Sequence, residues 1–388
     1  MSIWDRLVLD ERLLDHLRRA ARHPGDAYLF AGPPGVGKTE AARTFAAAIV
    51  CPDGCGECSC CRRALRGLHP DVSWFEPEGF TYPLELIREM VAAAAQTPLE
   101  AARRVTVVEE AHRIAERSQN ALLKALEEPN ASVTWVLVAD ALEPFLPTVL
   151  SRCRVVAFSA VPEQEVRRTL GEGLGVAPER AELVVRAARG DLEQARALAT
   201  GERVRKLRRL ALDTVTSSGP SAHLAFAASE LLQALAREAA DEKEAAFAAE
   251  LAALDEAAGT GRGSAGIRRR LGERHRRVLR RVESQTFVDF LGWVAAAVRD
   301  LAALSLGAGP DGVSAVDRMD DLERVAGRRS PAFWLAMVDT ALAGQKAVLE
   351  NALPSLAVES VLLALGGEGV GAVGGGATIG GPAGVAQR

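Results

Sequence analysis

Short apolar runs alternate with helical periodicities along the first part of the chain, and then the strand signals stop. Ala27 to Ala31 is an unbroken apolar run, followed after a glycine-rich turn by an alanine-rich helical stretch from Glu40 to Val50. Val105 to Val108, Val133 to Ala139 and Val155 to Phe158 are further runs, valine-rich and too short for helices, as buried strands are. Between them Ser118 to Pro129 reads as a capped amphipathic helix stopped by Pro129. Strands alternating with helices predict an α/β domain, a parallel sheet flanked by helices, with ligands at the carboxyl ends of the strands.

The remainder predicts helices only. Residues 162 to 200 start at a Pro-Glu helix opening and contain A-A-R-G-D-L (Ala187 to Leu192), a break between two helices. Beyond about 205 come long Ala/Leu-rich amphipathic runs, interrupted by Gly259 to Gly266. Gly366 to Arg388 is Gly/Ala-rich with almost no charge, cannot offset its ordering entropy by burial, and is expected to be disordered. The expected division is a nucleotide-binding domain over 1–160, a small helical domain over 161–205, a second helical domain over 206–365 and a tail over 366–388. At 388 residues the chain is long enough for two or three cores.

The glycine-rich turn carries the most specific chemistry. Gly32, Pro33, Pro34, Gly35, Val36, Gly37, Lys38 and Thr39 spell G-x-x-x-x-G-K-T between a strand and a helix. That is a P-loop: the glycines let backbone N–H groups curl around phosphate oxygens, Lys38 reaches the β- and γ-phosphates, and the Thr39 hydroxyl can hold Mg²⁺. Val105 to Val108 ends in Glu109 and Glu110, as a Walker B strand does, where the first acid supports Mg²⁺ and the second can orient an attacking water. ATP with Mg²⁺ is the expected occupant.

Charge and cysteine usage narrow the setting. A net charge of -4 and a pI near 6.0 argue against a globally basic nucleic-acid wrapper, so any DNA contact would be a local patch. No signal peptide and no membrane-length apolar run is recognisable, which predicts a cytoplasmic protein with no membrane partner. Five of the six cysteines crowd into Cys51 to Cys61. In a reducing compartment a disulfide framework is not expected. Cys51, Cys55, Cys58 and Cys61, on tight glycine-containing turns, suit a structural Zn²⁺ with four thiolates, against free thiols or a redox pair. Cys60 breaks the spacing and could replace a neighbour. Arg268 to Arg281 places eight arginines on one predicted helix, read as a solvated face or one paired with acidic neighbours in the second helical domain, against a phosphate-backbone or partner contact.

The P-loop, the cysteine module after the first helix, the acidic strand end, N-A-L-L-K-A-L-E-E-P and S-R-C, in that order between Gly32 and Cys153, resemble the AAA+ module of bacterial DNA polymerase III clamp-loader subunits. Two subunit types carry all these pieces, the ATP-hydrolysing tau/gamma and delta-prime. The opening from Trp4 to Leu14 resembles the delta-prime type, and a gamma-like motor is the alternative. The resemblance implies that 161–205 is an AAA+ lid and 206–365 a collar that holds subunits together. It implies tau/gamma and delta subunits as partners, with the sliding clamp and primer-template DNA reached through the complex. It places Arg152 of S-R-C as an arginine finger acting in trans on a neighbour's ATP, against a surface arginine paired with a carboxylate. It also places Ala139 and Asp140 at the first phosphate sensor and Glu193 near the second, with Arg196 about one turn away. An alanine cannot contact phosphate and a carboxylate repels it, so weak or absent hydrolysis by this subunit alone is expected.

Overall fold

A computed structural model describes residues 2–51, 53–77, 81–128, 132–217, 222–258 and 262–367. Five strands, β1 (Ala27–Ala31), β2 (Val72–Phe75), β3 (Arg104–Val108), β4 (Val133–Ala139) and β5 (Arg154–Ala157), form one sheet in the order β2-β3-β4-β1-β5. All pairings are parallel. β1 lies between β4 and β5, with Leu29 facing Leu137 on one side and Val155 on the other.

The period-2 alternation of β1 divides the core. Tyr28 and Phe30 project into one layer, where both rings meet Phe45 of helix Lys38–Val50 edge-on at 4.9 and 5.5 Å. Leu29 and Ala31 project to the other face, into a layer with Ile87, Met90, Leu122 and Trp135. A strand covered on both faces must be apolar at every position, which is why the run from Ala27 to Ala31 is unbroken. The turn after it therefore opens in the middle of the sheet, at the carboxyl ends of the strands.

The sequence reading missed β2. Val-Ser-Trp-Phe sits at the sheet edge with only Val72 buried, so it lacks the continuous apolar run that marked the other strands. The helix expected to be capped by Ser118 begins earlier, at Glu116; Ala115 is its cap residue and gives no side-chain bond, while Ser118 is buried within the helix. It ends at Glu127, and Pro129 lies outside the described residues.

From residue 161 onward the described residues form helices and their connecting turns, with no strand among them. One cluster of buried side chains runs from Val161 through Phe290 and Trp334 to Leu365, joining the short helices before 205 to the long ones after it. Helix Ala222–Ala258 is followed by helix Arg262–Ser305, so the interruption expected over Gly259 to Gly266 narrows to 259–261, outside the described residues. The last helix, Pro354–Gly366, reaches one residue into the expected tail and stops where Gly367 turns left-handed at φ 76°. The rest of that tail lies outside the described residues.

A buried carboxylate ties the first domain's edge together. Asp71, fully buried just before β2, accepts backbone hydrogen bonds from Leu99 at 2.7 Å and from Glu100 and Ala101 at 2.8 Å, and lies 3.5 Å from the buried Arg104 guanidinium. Burial alone would raise its pKa; the three N–H donors and Arg104 more than reverse this and hold it below the usual range. Its stabilisation is therefore present at neutral pH and lost as pH falls through the lowered value. Asp71→Ala would leave three donors and a buried cation unpaired. Chemical denaturation should show a loss on the order of 3 kcal/mol at pH 7, shrinking under acid; an unchanged midpoint would refute the assignment.

Candidate nucleotide site and cysteine knuckle

The P-loop leaves β1 at Ala31 and enters helix Lys38–Val50 through two left-handed glycines, Gly35 (φ 69°) and Gly37 (φ 85°). Gly37 caps the helix, so the first-turn N–H groups point toward the place where phosphates would lie. Thr39 stands in that first turn. Lys38 is almost entirely buried and folds back on its own loop: its Nζ donates to the carbonyls of Gly32 at 2.7 Å and Pro33, and pairs with Asp140 Oδ1 at 2.9 Å. Asp140 follows β4, whose last residue, Ala139, accepts a hydrogen bond from Gly32 N. Ala139 and Asp140 thus lie against the P-loop, at Gly32 and at Lys38.

A second acidic element arrives from the helical region. Arg189 and Gly190 turn left-handed, and Asp191 caps helix Leu192–Thr200 by accepting from Gln194 N at 2.7 Å. This cap sits directly on the P-loop: Leu192 N donates to Gly35 O at 2.9 Å, and a Cβ at Gly35 would overlap the Asp191 carboxylate. Burial raises the pKa of Asp191 and of Glu193, opposed by the nearby Lys38. One ammonium therefore shares the loop with three carboxylates. The helix break was legible in A-A-R-G-D-L; the docking of Asp191 against Gly35 was not, because no local pattern encodes it.

The acidic strand end is held by arginines from elsewhere. Glu109 is partly buried, with Arg43 at 3.6 Å and Tyr82 donating to its backbone carbonyl. Burial, reinforced by Glu76, pushes Glu109 up to about 7, with Arg43 and Arg281 pulling the other way. Glu110 adopts φ 46° and pairs with Arg113 at 2.7 Å and with Arg281. Arg281 is the last residue of the basic stretch; the side chains of the other seven arginines lie outside the described residues. Arg43 had no sequence signal, and Arg281 was marked only as part of the basic stretch, without Glu110 as its partner.

Arg152 lies on the turn after helix Pro147–Leu150, a third exposed, with NH2 2.5 Å from Glu127 and NH1 donating to Thr148 O at 2.8 Å. Within a single chain it is an arginine paired with a carboxylate.

After helix Lys38–Val50 the cysteines gather. The sulfurs of Cys51, Cys55, Cys58 and Cys61 lie within 4.8 Å of one another, with Cys51 to Cys58 at 3.6 Å and Cys55 to Cys61 at 4.0 Å. Cys55 Sγ accepts from Cys58 N and Cys58 Sγ from Cys61 N, on turns that Gly54 and Gly56 make with positive φ. Cys60 faces away from the group, toward His69 Nε2 and Val50 O, both at 3.4 Å. Burial pushes the Cys60 thiol up to about 11, with Cys51 and Cys58 adding to the shift. The four gathered thiols can hold a metal ion.

These features have relatives. Residues 10–162 match the family described as DNA polymerase III, delta subunit. The chain is 35% identical over 150 residues to DNA polymerase III subunit delta' of Pseudomonas aeruginosa, covering 37% of this chain and 45% of that one. Against the delta' subunit of Bacillus subtilis it is 32% identical over 150 residues, covering 38% and 46%. The N-terminal module is delta-prime-like. It is also 32% identical over 182 residues to the tau subunit of Escherichia coli, covering 44% of this chain and 28% of that one. The chain spans less than half the length of these curated relatives. Among solved structures it is similar to a DNA polymerase III gamma subunit-related protein of Thermotoga maritima, with TM-score 0.47 and 17% identity over 91% of this chain and 98% of that one. No helix among the described residues is long and apolar enough to cross a membrane.

The raised pKa of Glu109 has a signed consequence in the delta-prime-like module. A carboxylate whose folded pKa stands near 7, above the ordinary 4.5, opposes folding fully above 7 and not at all once both states are protonated. Glu109→Gln should therefore raise stability at pH 8 by something on the order of 1–3 kcal/mol, and the gain should fade between pH 7 and 4.5. Thermal melts across that range check it; a gain independent of pH would show that charge burial is not the cause.

Proposed function

We propose that this chain is a delta-prime-type subunit of a bacterial sliding-clamp loader. It would work in a complex with tau/gamma and delta subunits that opens the clamp and places it on primer-template DNA. On this reading residues 1–160 form the AAA+ domain, 161–205 the lid and 206–365 the collar. The observation that carries the proposal is the pairing of a complete P-loop with self-neutralised chemistry. Lys38 is engaged by Asp140, Asp191 stands at Gly35, and Glu109, pushed up to about 7, is only partly ionised at neutral pH and so a weaker partner for Mg²⁺. Such a site can hold ATP·Mg²⁺ through Gly32 to Thr39 with Glu109 and Glu110 nearby, but it is badly arranged for turnover. The similarity to tau favours a gamma-like motor as the competing reading.

The subunit's contribution to catalysis would then be Arg152, offered to ATP on a neighbour. A guanidinium delivered in trans stabilises the charge that spreads over the equatorial oxygens during phosphoryl transfer. The reconstituted loader tests both halves. The purified chain alone should turn over ATP at background rate, and enzyme-like turnover would establish the motor reading. Arg152→Ala should leave assembly intact, remove about 10³-fold or more from the one site that Arg152 serves, and so lower total ATPase only partly. Wild-type ATPase and clamp loading by an assembled Arg152→Ala complex would leave the pair with Glu127 as the residue's only role.

We assign Zn²⁺ to the cysteine knuckle. Sulfurs at the corners of a tetrahedron with Zn–S near 2.3 Å stand about 3.8 Å apart, which the 3.6 and 4.0 Å separations bracket. Four protein ligands leave no open position, so the role is structural. Metal analysis of chain purified without chelator should find one zinc per chain. Cys58→Ser should release it and lower the thermal midpoint, whereas Cys60→Ser should not. Absence of zinc from the wild-type chain would rule out the assignment.

A further inference from the structure

A groove of about 340 Å³ lies between helix Pro178–Ala188, helix Glu202–Thr216 and the turn at Asp317 and Arg318, away from the P-loop motif. Its floor is aliphatic: Leu183, Val184, Ala187, Leu198 and Leu212. Its rim is formed by Arg180, Arg205, Arg208, Arg209 and Arg318, with one carboxylate, Asp317.

Two of these cations are already matched. Arg208 holds Asp317 with both terminal nitrogens, and Arg318 pairs with Asp213 and Asp321, each at 2.6 Å. The other three are not. Arg180 donates to Ala199 O, and Arg205 to Leu198 O and Ala199 O, which caps the carbonyl end of helix Leu192–Thr200 without supplying a counter-charge. Arg209 is exposed and makes no ion pair among the described residues. Three cations without carboxylates thus surround an aliphatic hollow in a chain whose net charge is -4.

We propose that this groove docks a short acidic peptide segment of a partner protein, which seats one large apolar side chain between the two helices while its carboxylates meet Arg180, Arg205 and Arg209. Charge complementarity selects an anionic ligand, because guanidinium forks bind carboxylates in bidentate fashion. The lining then distinguishes a peptide from a nucleic acid. No aromatic ring lines the groove, so bases would have no stacking platform. The hollow holds a side chain or two and leads no phosphate backbone along a track. An apolar anchor inside a charged rim is the arrangement found at the energetic centre of peptide-binding sites. Leu183, more than a third exposed, is where the anchor would bury surface.

Fluorescence anisotropy on the full chain tests this with a labelled Asp-Asp-Asp-Leu-Phe peptide, an Asp-Asp-Asp-Ala-Ala peptide and a labelled oligothymidylate. The first peptide should bind saturably and more weakly at high salt. Its affinity should fall by about 10-fold or more in an Arg180→Glu/Arg209→Glu double variant and in Leu183→Ser. All three substituted positions are exposed, and an unchanged thermal midpoint confirms that the variants fold. The alanine peptide should bind more weakly than the first, and the oligothymidylate should not compete. The proposal fails if the first peptide does not bind below about 1 mM, or if the double variant binds it as wild type does. It also fails if the oligothymidylate binds and is lost in the double variant, which would make the rim a nucleic-acid surface.

Discussion

The ammonium of Lys38 has to be buried for the P-loop to work, and a buried cation has to be paired. Two loop carbonyls and Asp140 meet that requirement, with Asp191 and Glu193 nearby. Unit charges at such separations interact by about 4 kcal/mol at the effective dielectric of a protein surface. A phosphate entering the loop must therefore displace a carboxylate of comparable attraction rather than fill an empty positive site. The same ammonium helps the helical region rest its capped helix on Gly35: Lys38 favours the Asp191 carboxylate beside the loop, while Asp140 opposes it. A glycine at 35 is needed for this contact as much as for phosphate, since any side chain there would meet Asp191.

The cysteine knuckle is attached to the same helix from the other end. Helix Lys38–Val50 starts in the P-loop and its carboxyl cap is Cys51, whose N–H bonds to Ala47 O. The knuckle in turn receives the N-terminal turn, with Ile3 N donating to Gly54 O and Ile3 packed beside Gly56. A four-thiolate metal site would thus fix both the far end of the phosphate-binding helix and the chain's entry to the domain. Burial raises the Cys61 thiol, with Cys51 and Cys58 contributing, so a cation is what would let these sulfurs ionise together. Cys60, turned toward His69, is the spare.

How much of this was legible depended on whether a feature was local. The P-loop, the strand–turn–helix around it, the acidic end of β3 and the cysteine grouping are encoded in consecutive residues, because one turn or one strand must supply all the atoms. The resemblance placed Ala139 and Asp140 at the first phosphate sensor, and Asp140 lies beside Lys38. What failed was either marginal or distant. β2 is a half-exposed edge strand whose pattern is too short to rise above background. Ser118 has the composition of a cap but lies within a helix that starts two residues earlier, where its side chain is buried. The partners of the site, Asp191 at Gly35 and Arg281 at Glu110, come from other parts of the chain, and their contacts are set by how helices pack rather than by any spacing.

On the proposed function Arg152 would leave the pair it makes with Glu127 for a neighbour's ATP. Its pair with Glu127 is a third to two-fifths exposed, and such pairs contribute between nothing and about 1 kcal/mol. That is enough to hold the guanidinium in one place and too little to keep it there against a triphosphate. A neighbour's γ-phosphate offers several oxygens and more than one negative charge, and the interaction strengthens as charge spreads in the transition state. Glu127 ends the helix that begins near the acidic strand end, so the carboxylate that parks Arg152 is carried by the same element that follows Glu110 in the chain. On the proposed function, release of Arg152 toward a neighbour would then be sensitive to how this helix sits, and through it to the state of the subunit's own phosphate site.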